Sequence, residues 1–316
     1  MTRSDWRIGM VGLGALGLPM AVNLQRAGYA LQVHTRSRQA ESDPTLAGAQ
    51  SCATAAAAAD GADVLLLCVS DDAAVNAVLF GTNGAATRLK PGSIVIDCST
   101  ISPKGAQNAA IALQQQGVRF LDAPVTGGTE GARAGTLTVL VGGDAEVLEQ
   151  VRPLLEVIGG GIHHFGPVGS GQQVKAVNQV LVAGSYAAAA EAIALGQQLG
   201  LPMPAVVEAL RQGAAGSWAL SHRASAMLEG HYPLGFKLAL HHKDLGIALE
   251  AAEAAHIDLP ISSLVQRMEQ QLMDAGYSDD DVAALHRWNS LQHATGTIHS
   301  PNRCRMSPKS FSLELS

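Results

Sequence analysis

Three glycines spaced Gly12-x-Gly14-x-x-Gly17 stand at the end of an apolar run, Ile8-Gly9-Met10-Val11, and open a helix-like stretch, Leu18-Pro19-Met20-Ala21-Val22-Asn23-Leu24. Glycine turns of this kind let backbone N–H groups approach a pyrophosphate, and the following helix points its positive N-terminus at the same charge. A dinucleotide is therefore the expected guest, cradled by Gly12, Leu13, Gly14, Ala15, Leu16 and Gly17. The far end of such a ligand is read after the second strand, here Ala30-Leu31-Gln32-Val33, where the chain continues His34-Thr35-Arg36-Ser37-Arg38. An acidic side chain at this place would bind a ribose diol, whereas Arg and small hydroxyls suit a 2′-phosphate. No Asp or Glu occurs between Val33 and Glu41. NADP is expected in preference to NAD, with Arg36 as main phosphate contact, Thr35 and Ser37 as donors and Arg38 as a helper.

Other residue sets suit proton transfer and carboxylate binding. Asp122-Ala123-Pro124-Val125-Thr126-Gly127-Gly128 follows the apolar pair Phe120-Leu121, as a loop at the carboxyl end of a sheet strand would. Thr126, Gly127 and Gly128 can present an O–H and N–H groups to a carboxylate; the same stretch also reads as a plain tight turn. Lys175 and Asn178 lie three apart on a long helical pattern and share a face. Partial desolvation there would lower the lysine pKa toward a value useful for acid–base work. His242-Lys243-Asp244-Leu245 places a charged pair at the head of an amphipathic helix, with an exposed ion pair as the plainer reading. Trp218 could line a pocket there, though an aromatic in a helical domain reads more readily as core. The pairs His163-His164 and His241-His242 are adjacent residues, which diverge too far to act together as ligands, so no metal is expected.

The elements that must carry these groups follow from periodicity. The apolar runs Val64–Val69, Ile94–Asp97, Phe120-Leu121 and Leu137–Val141 alternate with helical patterns, as a parallel sheet buried on both faces requires. Ala55 to Ala59 is expected to be a small-residue helix packed on that sheet. After Gly166-Pro167-Val168-Gly169-Ser170-Gly171, Gln172 to Leu199 lacks Pro and reads as one helix of roughly 40 Å. Helices interrupted at Pro202, Pro204, Pro233 and Pro260 follow. The predicted fold is α/β: a doubly wound Rossmann domain over residues 1–166, joined through a long interdomain helix to an all-α substrate and dimerisation domain over 167–291, with a poorly ordered tail over 292–316.

Composition narrows the function classes. The chain has 316 residues, 47% of them hydrophobic, which is material for two cores; its net charge is −6, with no basic stripe for nucleic acid or an anionic membrane. No run of 18 apolar residues and no secretory signal is evident, and the four cysteines lack C-x-x-C spacing, so a cytoplasmic protein with reduced, buried thiols is expected.

Together these segments resemble the 3-hydroxyacid dehydrogenase family, which includes 3-hydroxyisobutyrate dehydrogenases and tartronate semialdehyde reductases. The resemblance spans roughly residues 7 to 290. It rests on the glycine fingerprint, with Leu16 where Met is common, and on Asp122 to Gly128 continuing to Gly131-Ala132 and Gly135-Thr136-Leu137, with Thr126 where Ser is usual. It rests also on Gly169-Ser170-Gly171-Gln172-Gln173-Val174-Lys175-Ala176-Val177-Asn178-Gln179, with Gln179 where a second Asn is commoner, and on Lys243-Asp244-Leu245. The resemblance implies Lys175 as the catalytic acid/base and Asn178 as its substrate-orienting neighbour. It also implies Thr126, Gly127 and Gly128 as carboxylate ligands, and Lys243, Thr100, Val69 and Ser70 as further cofactor contacts.

The implied reaction moves a hydride between nicotinamide C4 and the 3-hydroxyl or oxo carbon of a small acid such as 3-hydroxyisobutyrate. The alternatives are a semialdehyde reductase (2-hydroxy-3-oxopropionate, glyoxylate or succinic semialdehyde) or a threonate-type sugar-acid dehydrogenase. The shorter helical half argues against a 6-phosphogluconate dehydrogenase, and Lys175 argues against an imine reductase. A dinucleotide-sensing protein without turnover is the reading from another class. A homodimer or homotetramer is the expected assembly.

Overall fold

The computed structural model describes residues 6–289, so the tail expected over 292–316 lies outside the described residues. Six parallel strands form the main sheet: β1 (Arg7–Val11), β2 (Ala30–His34), β3 (Gln50–Ser51), β4 (Val64–Leu67), β5 (Ile94–Asp97) and β6 (Arg119–Asp122). Their spatial order is β3-β2-β1-β4-β5-β6, so the chain reverses direction between β1 and β4. That reversal opens a crevice at the carboxyl ends, where an α/β sheet takes its ligand. The helices between strands are α1 (Gly17–Arg26), α2 (Ala55–Ala59), α3 (Asp72–Phe80) and α4 (Pro103–Gln114). Alternate residues of each strand enter opposite cores: Leu66 and Ile96 pack with Met20 and Leu24 of α1, while Leu65 and Val95 pack with Val75, Leu79 and Leu113 on the other face. Burial on both faces explains why these strands read as continuous apolar runs.

One expected strand sits elsewhere. Leu137–Val141 does not extend the parallel sheet; it is the centre of a second, three-stranded sheet. There β8 (Leu137–Val141) pairs antiparallel with β7 (Val125–Thr126) and parallel with β9 (Gly159–His164). The tight return through α5 (Gly128–Ala134) forces the antiparallel pairing, because a parallel pair needs a crossover of a dozen or more residues. The helix α6 (Ala145–Ile158) supplies that crossover between β8 and β9. β9 was not visible in the sequence, since Gly159-Gly160-Gly161 is a poor strand former.

The long helix is present as α7 (Ser170–Gln198), 29 residues. It is also the one described helix whose length and hydropathy would suffice to cross a membrane, although Gln, Ser and Glu interrupt its apolar runs. Part of that apolar surface faces a core of its own: Ala183, Tyr186, Ala190 and Ile193 pack with residues of α9 (Trp218–Glu229), α10 (Leu238–Ala254) and α11 (Pro260–Asp274). The short α8 (Met203–Leu210) buries Met203 at the end of α7. A fully buried contact, His241 Nδ1 to Glu269 Oε1 at 2.5 Å, pins α10 to α11. Among the described residues, this half contains helices and turns without a strand.

Candidate active site

The glycine turn between β1 and α1 is shaped by contacts that exclude side chains. A Cβ on Gly12, whose φ is +98°, would meet the Cys68 carbonyl oxygen at 2.2 Å, and one on Gly17 would meet the Gly12 oxygen at 1.9 Å. A Cβ on Gly14, by contrast, would meet nothing within 4 Å. Gly12 and Gly17 close the turn, and Gly14 leaves its backbone open on the crevice side. The first turn of α1 carries no acidic residue and no side-chain cap, so its N-terminal field is left for an anion. This cradle, holding Gly12, Leu13, Gly14, Ala15, Leu16 and Gly17, fits a pyrophosphate.

The turn after β2 is arranged differently from the sequence expectation. Arg36 and Ser37 are exposed. Thr35 Oγ1 accepts from the Leu13 N–H at 3.3 Å and so ties this turn to the glycine loop. Glu41, three residues beyond Arg38, folds back to that turn. Its Oε1 accepts from the Thr35 N–H at 2.9 Å and its Oε2 from Arg38 Nε at 2.9 Å, with a side chain only 2% exposed. A left-handed residue at Arg38 (φ +61°) followed by a 3-10 turn over Gln39–Ser42 produces the reversal. Arg38 is thus matched by Glu41 and also donates to Ser51 at 3.1 Å. Arg36 remains as the cation facing outward.

The other expected cofactor residues line the same edge. The Val69 N–H donates to Ser99 Oγ at 2.9 Å, joining the loops after β4 and β5, and Ser70 donates to Asp71, the cap of α3, at 2.7 Å. Lys243 on α10 donates to the carbonyl of Thr100 and pairs with Asp244 Oδ1 at 2.8 Å. The pair is not the exposed one considered from sequence: Asp244 is buried and lies in the second turn of α10.

Lys175 is carried to the crevice by the first turns of α7. Asp122, at the end of β6, accepts from the N–H groups of Gly169 (2.8 Å) and Gln172 (2.9 Å). Gln172 reaches the neighbouring loop, accepting from Ile101 N–H at 3.2 Å and donating to Ser99 O at 2.8 Å. The helix start is thereby fixed to two strand ends. One turn later, Lys175 Nζ donates to the Val125 carbonyl at 2.9 Å, immediately before Thr126-Gly127-Gly128. Lys175 is 7% exposed. Burial pulls its pKa down to about 8; the Asp244 carboxylate opposes that shift and the Lys243 ammonium adds to it. Its Nζ also lies 6.0 Å from the centre of the Phe236 ring.

The Thr126-Gly127-Gly128 loop joins β7 to α5. Gly127 (φ +128°) holds a backbone conformation that side-chain-bearing residues rarely adopt, Gly128 (φ +64°) is left-handed, and α5 starts at Gly128 without a side-chain cap. Asn178 is partly buried and donates from Nδ2 to Gln179 Oε1 at 2.7 Å, and Gln179 Nε2 donates to Asp244 Oδ2 at 2.7 Å. Thr100, Lys243, Asp244, Gln179 and Asn178 therefore form one connected line beside Lys175.

Other side chains beside the Thr126-Gly127-Gly128 loop were not singled out by the sequence, or were set aside. Trp218, read as core, is 41% exposed, and a Cβ on Gly128 would stand 4.0 Å from its ring. Arg223 stacks on that ring at 4.6 Å and bridges to Glu130 of α5 at 2.9 Å, bringing α9 against the carboxylate loop. Helical spacing from Lys175 back to Gln172 was a usable signal. The Val125 carbonyl and the Phe236 ring carried none.

Comparison with known proteins agrees with this geometry. The family model for the NAD binding domain of 6-phosphogluconate dehydrogenase matches residues 7–166. The model for the NAD-binding region of NADP-dependent 3-hydroxyisobutyrate dehydrogenase matches residues 169–289. An NAD-dependent L-serine dehydrogenase of Pseudomonas aeruginosa is 39% identical over 288 residues, 89% of this chain and 97% of the relative. A 2-hydroxy-3-oxopropionate reductase of Escherichia coli is 39% identical over 279 residues, 88% of this chain and 95% of the relative. The crystal structure of a 3-hydroxyisobutyrate dehydrogenase from Salmonella typhimurium superposes with a TM-score of 0.83 at 33% identity, covering 90% of this chain and 99% of that one.

Proposed function

The chain belongs to the 3-hydroxyacid dehydrogenase family and is an NAD(P)-dependent oxidoreductase of that type, and from this premise we propose that it acts on a small 3-hydroxy acid with Lys175 as acid/base. The observation that carries the proposal is the placement of Lys175. It is buried, its pKa is lowered to about 8, and its Nζ rests on the Val125 carbonyl beside the Thr126-Gly127-Gly128 loop.

A nicotinamide dinucleotide bound along the glycine turn supplies the hydride acceptor or donor. The protein's part is to bind, orient and move a proton. Thr126, Gly127 and Gly128 hold the substrate carboxylate, and Asn178 fixes the oxygen on C3. In oxidation the neutral amine of Lys175 takes the hydroxyl proton; in reduction its ammonium returns a proton to the forming alkoxide and stabilises that charge. A pKa near 8 lets both forms be populated near neutral pH. The carboxylate loop and Asn178 fix the reacting carbon, so little rotational freedom remains.

NADP is the preferred cofactor in this reading, on the strength of the exposed Arg36 and of a neighbouring acid, Glu41, that is already spent on Thr35 and Arg38. The exposed apolar residues Val177, Leu181, Leu195 and Leu199 along α7 support a homo-oligomer.

The test is a turnover panel of 3-hydroxyisobutyrate, L-serine and L-threonate for oxidation, and 2-hydroxy-3-oxopropionate, succinic semialdehyde and glyoxylate for reduction, each with NADP and NAD. Turnover of a 3-hydroxy acid or its semialdehyde supports the proposal. Tight NADPH binding without turnover of any member supports the dinucleotide-sensing alternative.

A further inference from the structure

Gln179 is one helical turn beyond Lys175 and 1% exposed, and a carboxamide buried so deeply must have both its ends satisfied. Its two partners differ in kind. Nε2 donates to Asp244 Oδ2 at 2.7 Å, and Oε1 accepts from Asn178 Nδ2 at 2.7 Å. Asp244 is in turn paired through Oδ1 with Lys243, 2.8 Å away, so both of its oxygens face donors. A carboxylate can only accept, which compels the nitrogen of Gln179 to face it and leaves the oxygen facing Asn178. The NH2 of Asn178 must then face Gln179. Its own carbonyl oxygen and second N–H are left for another partner. The polarity of the line is thus set at one end, by the Lys243–Asp244 pair, and read out at the other, by the amide orientation of Asn178.

We infer that Gln179 is a positioning residue that transmits the charge of the Lys243–Asp244 pair into a fixed orientation of the Asn178 carboxamide. The inference rests on the reading of Lys175 as acid/base and of Asn178 as its orienting neighbour, and deepens it. The reach of the side chain is part of the argument. Asn at this position, one methylene shorter, does not span both 2.7 Å contacts. Leu makes neither. Glu keeps an acceptor at the right reach for Asn178 but sets a second carboxylate against Asp244, adding negative charge beside Lys175.

Two variants and one control test this. The first readout needs no substrate: the side-chain amide resonances of Asn178 in 15N-labelled protein, assigned by their loss in Asn178→Asp. A hydrogen-bonded, slowly exchanging amide proton is expected in wild type and in Gln179→Glu, and is expected to be lost in Gln179→Leu. The second is kinetic, with 3-hydroxyisobutyrate and L-serine as probes and NADPH titration by fluorescence as the measure of the cofactor site. Gln179→Leu is expected to lose at least tenfold in kcat/KM while its Kd for NADPH moves less than twofold. In Gln179→Glu most of the loss is expected to be recovered at a higher pH, the Lys175 limb being displaced upward by about one unit. An unchanged Asn178 amide in Gln179→Leu overturns the inference, as does kcat/KM within twofold of wild type. Lys175→Ala is the control: if it turns over normally, the acid/base reading fails, while the amide resonances still decide the role of Gln179.

Discussion

Lys175 on α7 donates a 2.9 Å hydrogen bond to the carbonyl oxygen of Val125 on β7. The bond joins the long helix to the residue just before Thr126-Gly127-Gly128, so the proposed proton-transfer group and the proposed substrate-holding loop share one reference point. A backbone carbonyl accepts from either the ammonium or, through a remaining N–H, the neutral amine. The contact therefore survives both halves of a proton-transfer cycle.

The pH dependence follows from the lysine. With its pKa pulled down to about 8 by burial, the neutral base needed for oxidation accumulates as pH rises through that value. The ammonium needed for reduction is lost over the same range. Rates of oxidation at limiting substrate are expected to climb with pH around 8, and rates of reduction to fall; parallel pH profiles in the two directions, measured by nicotinamide absorbance, would count against Lys175 as the titrating group.

Cofactor choice is predicted to lie with Arg36 rather than Arg38. Arg36→Ala should raise KM for NADP by roughly tenfold, equivalent to about 1.4 kcal/mol, and leave KM for NAD within a factor of two. Glu41→Gln removes the charge that holds Arg38 and weakens the acceptor of the Thr35 N–H. It is expected to loosen binding of both dinucleotides. Steady-state kinetics with each cofactor separate these outcomes.

Asp122 holds the start of α7 through the N–H groups of Gly169 and Gln172, in a buried setting. Asp122→Ala leaves those donors without acceptors, a loss of about 1–3 kcal/mol for each buried donor left unsatisfied. A lower midpoint of chemical unfolding is expected together with a lower kcat, because the same turns position Lys175. Thermal and urea unfolding beside initial rates measure both.

A second buried carboxyl gives a stability signature. Asp97 at the end of β5 is fully buried, with burial pushing its pKa up to about 7 despite hydrogen bonds from Ser99, and its Oδ2 has no partner. Between its ordinary value near 4 and about 7, the folded chain holds a proton that the unfolded chain has released. This group's contribution to stability therefore falls as pH rises across that window and levels off above it. Asp97→Asn should flatten the corresponding slope and raise Tm at pH 8 more than at pH 5, as calorimetry at the two pH values would show.

Much of the architecture was legible because its causes are local. Runs such as Val64–Leu67 are apolar throughout since both faces of the sheet are covered, and the glycine turn is dictated by contacts such as Gly12 against Cys68. The order of strands in space was not encoded in any such run: Leu137–Val141 looks like the others but joins a second sheet because of the short return through α5. At the site, Lys175, Asn178, Lys243 and the Thr126 loop were visible as side chains or as glycines. What connects them was not. The Val125 carbonyl carries no sequence signal, the return of Glu41 depends on one left-handed residue, and the exposure of Trp218 depends on how α9 meets α5.

The most direct test of the central claim is Lys175→Ala, assayed on the best substrate of the panel together with NADPH binding by fluorescence titration. A fall in kcat/KM of about 10²–10⁴-fold, with Kd for NADPH within twofold of wild type, is the predicted result. Turnover near the wild-type rate, with the cofactor bound as tightly, would contradict the assignment of Lys175 as the proton-transfer group.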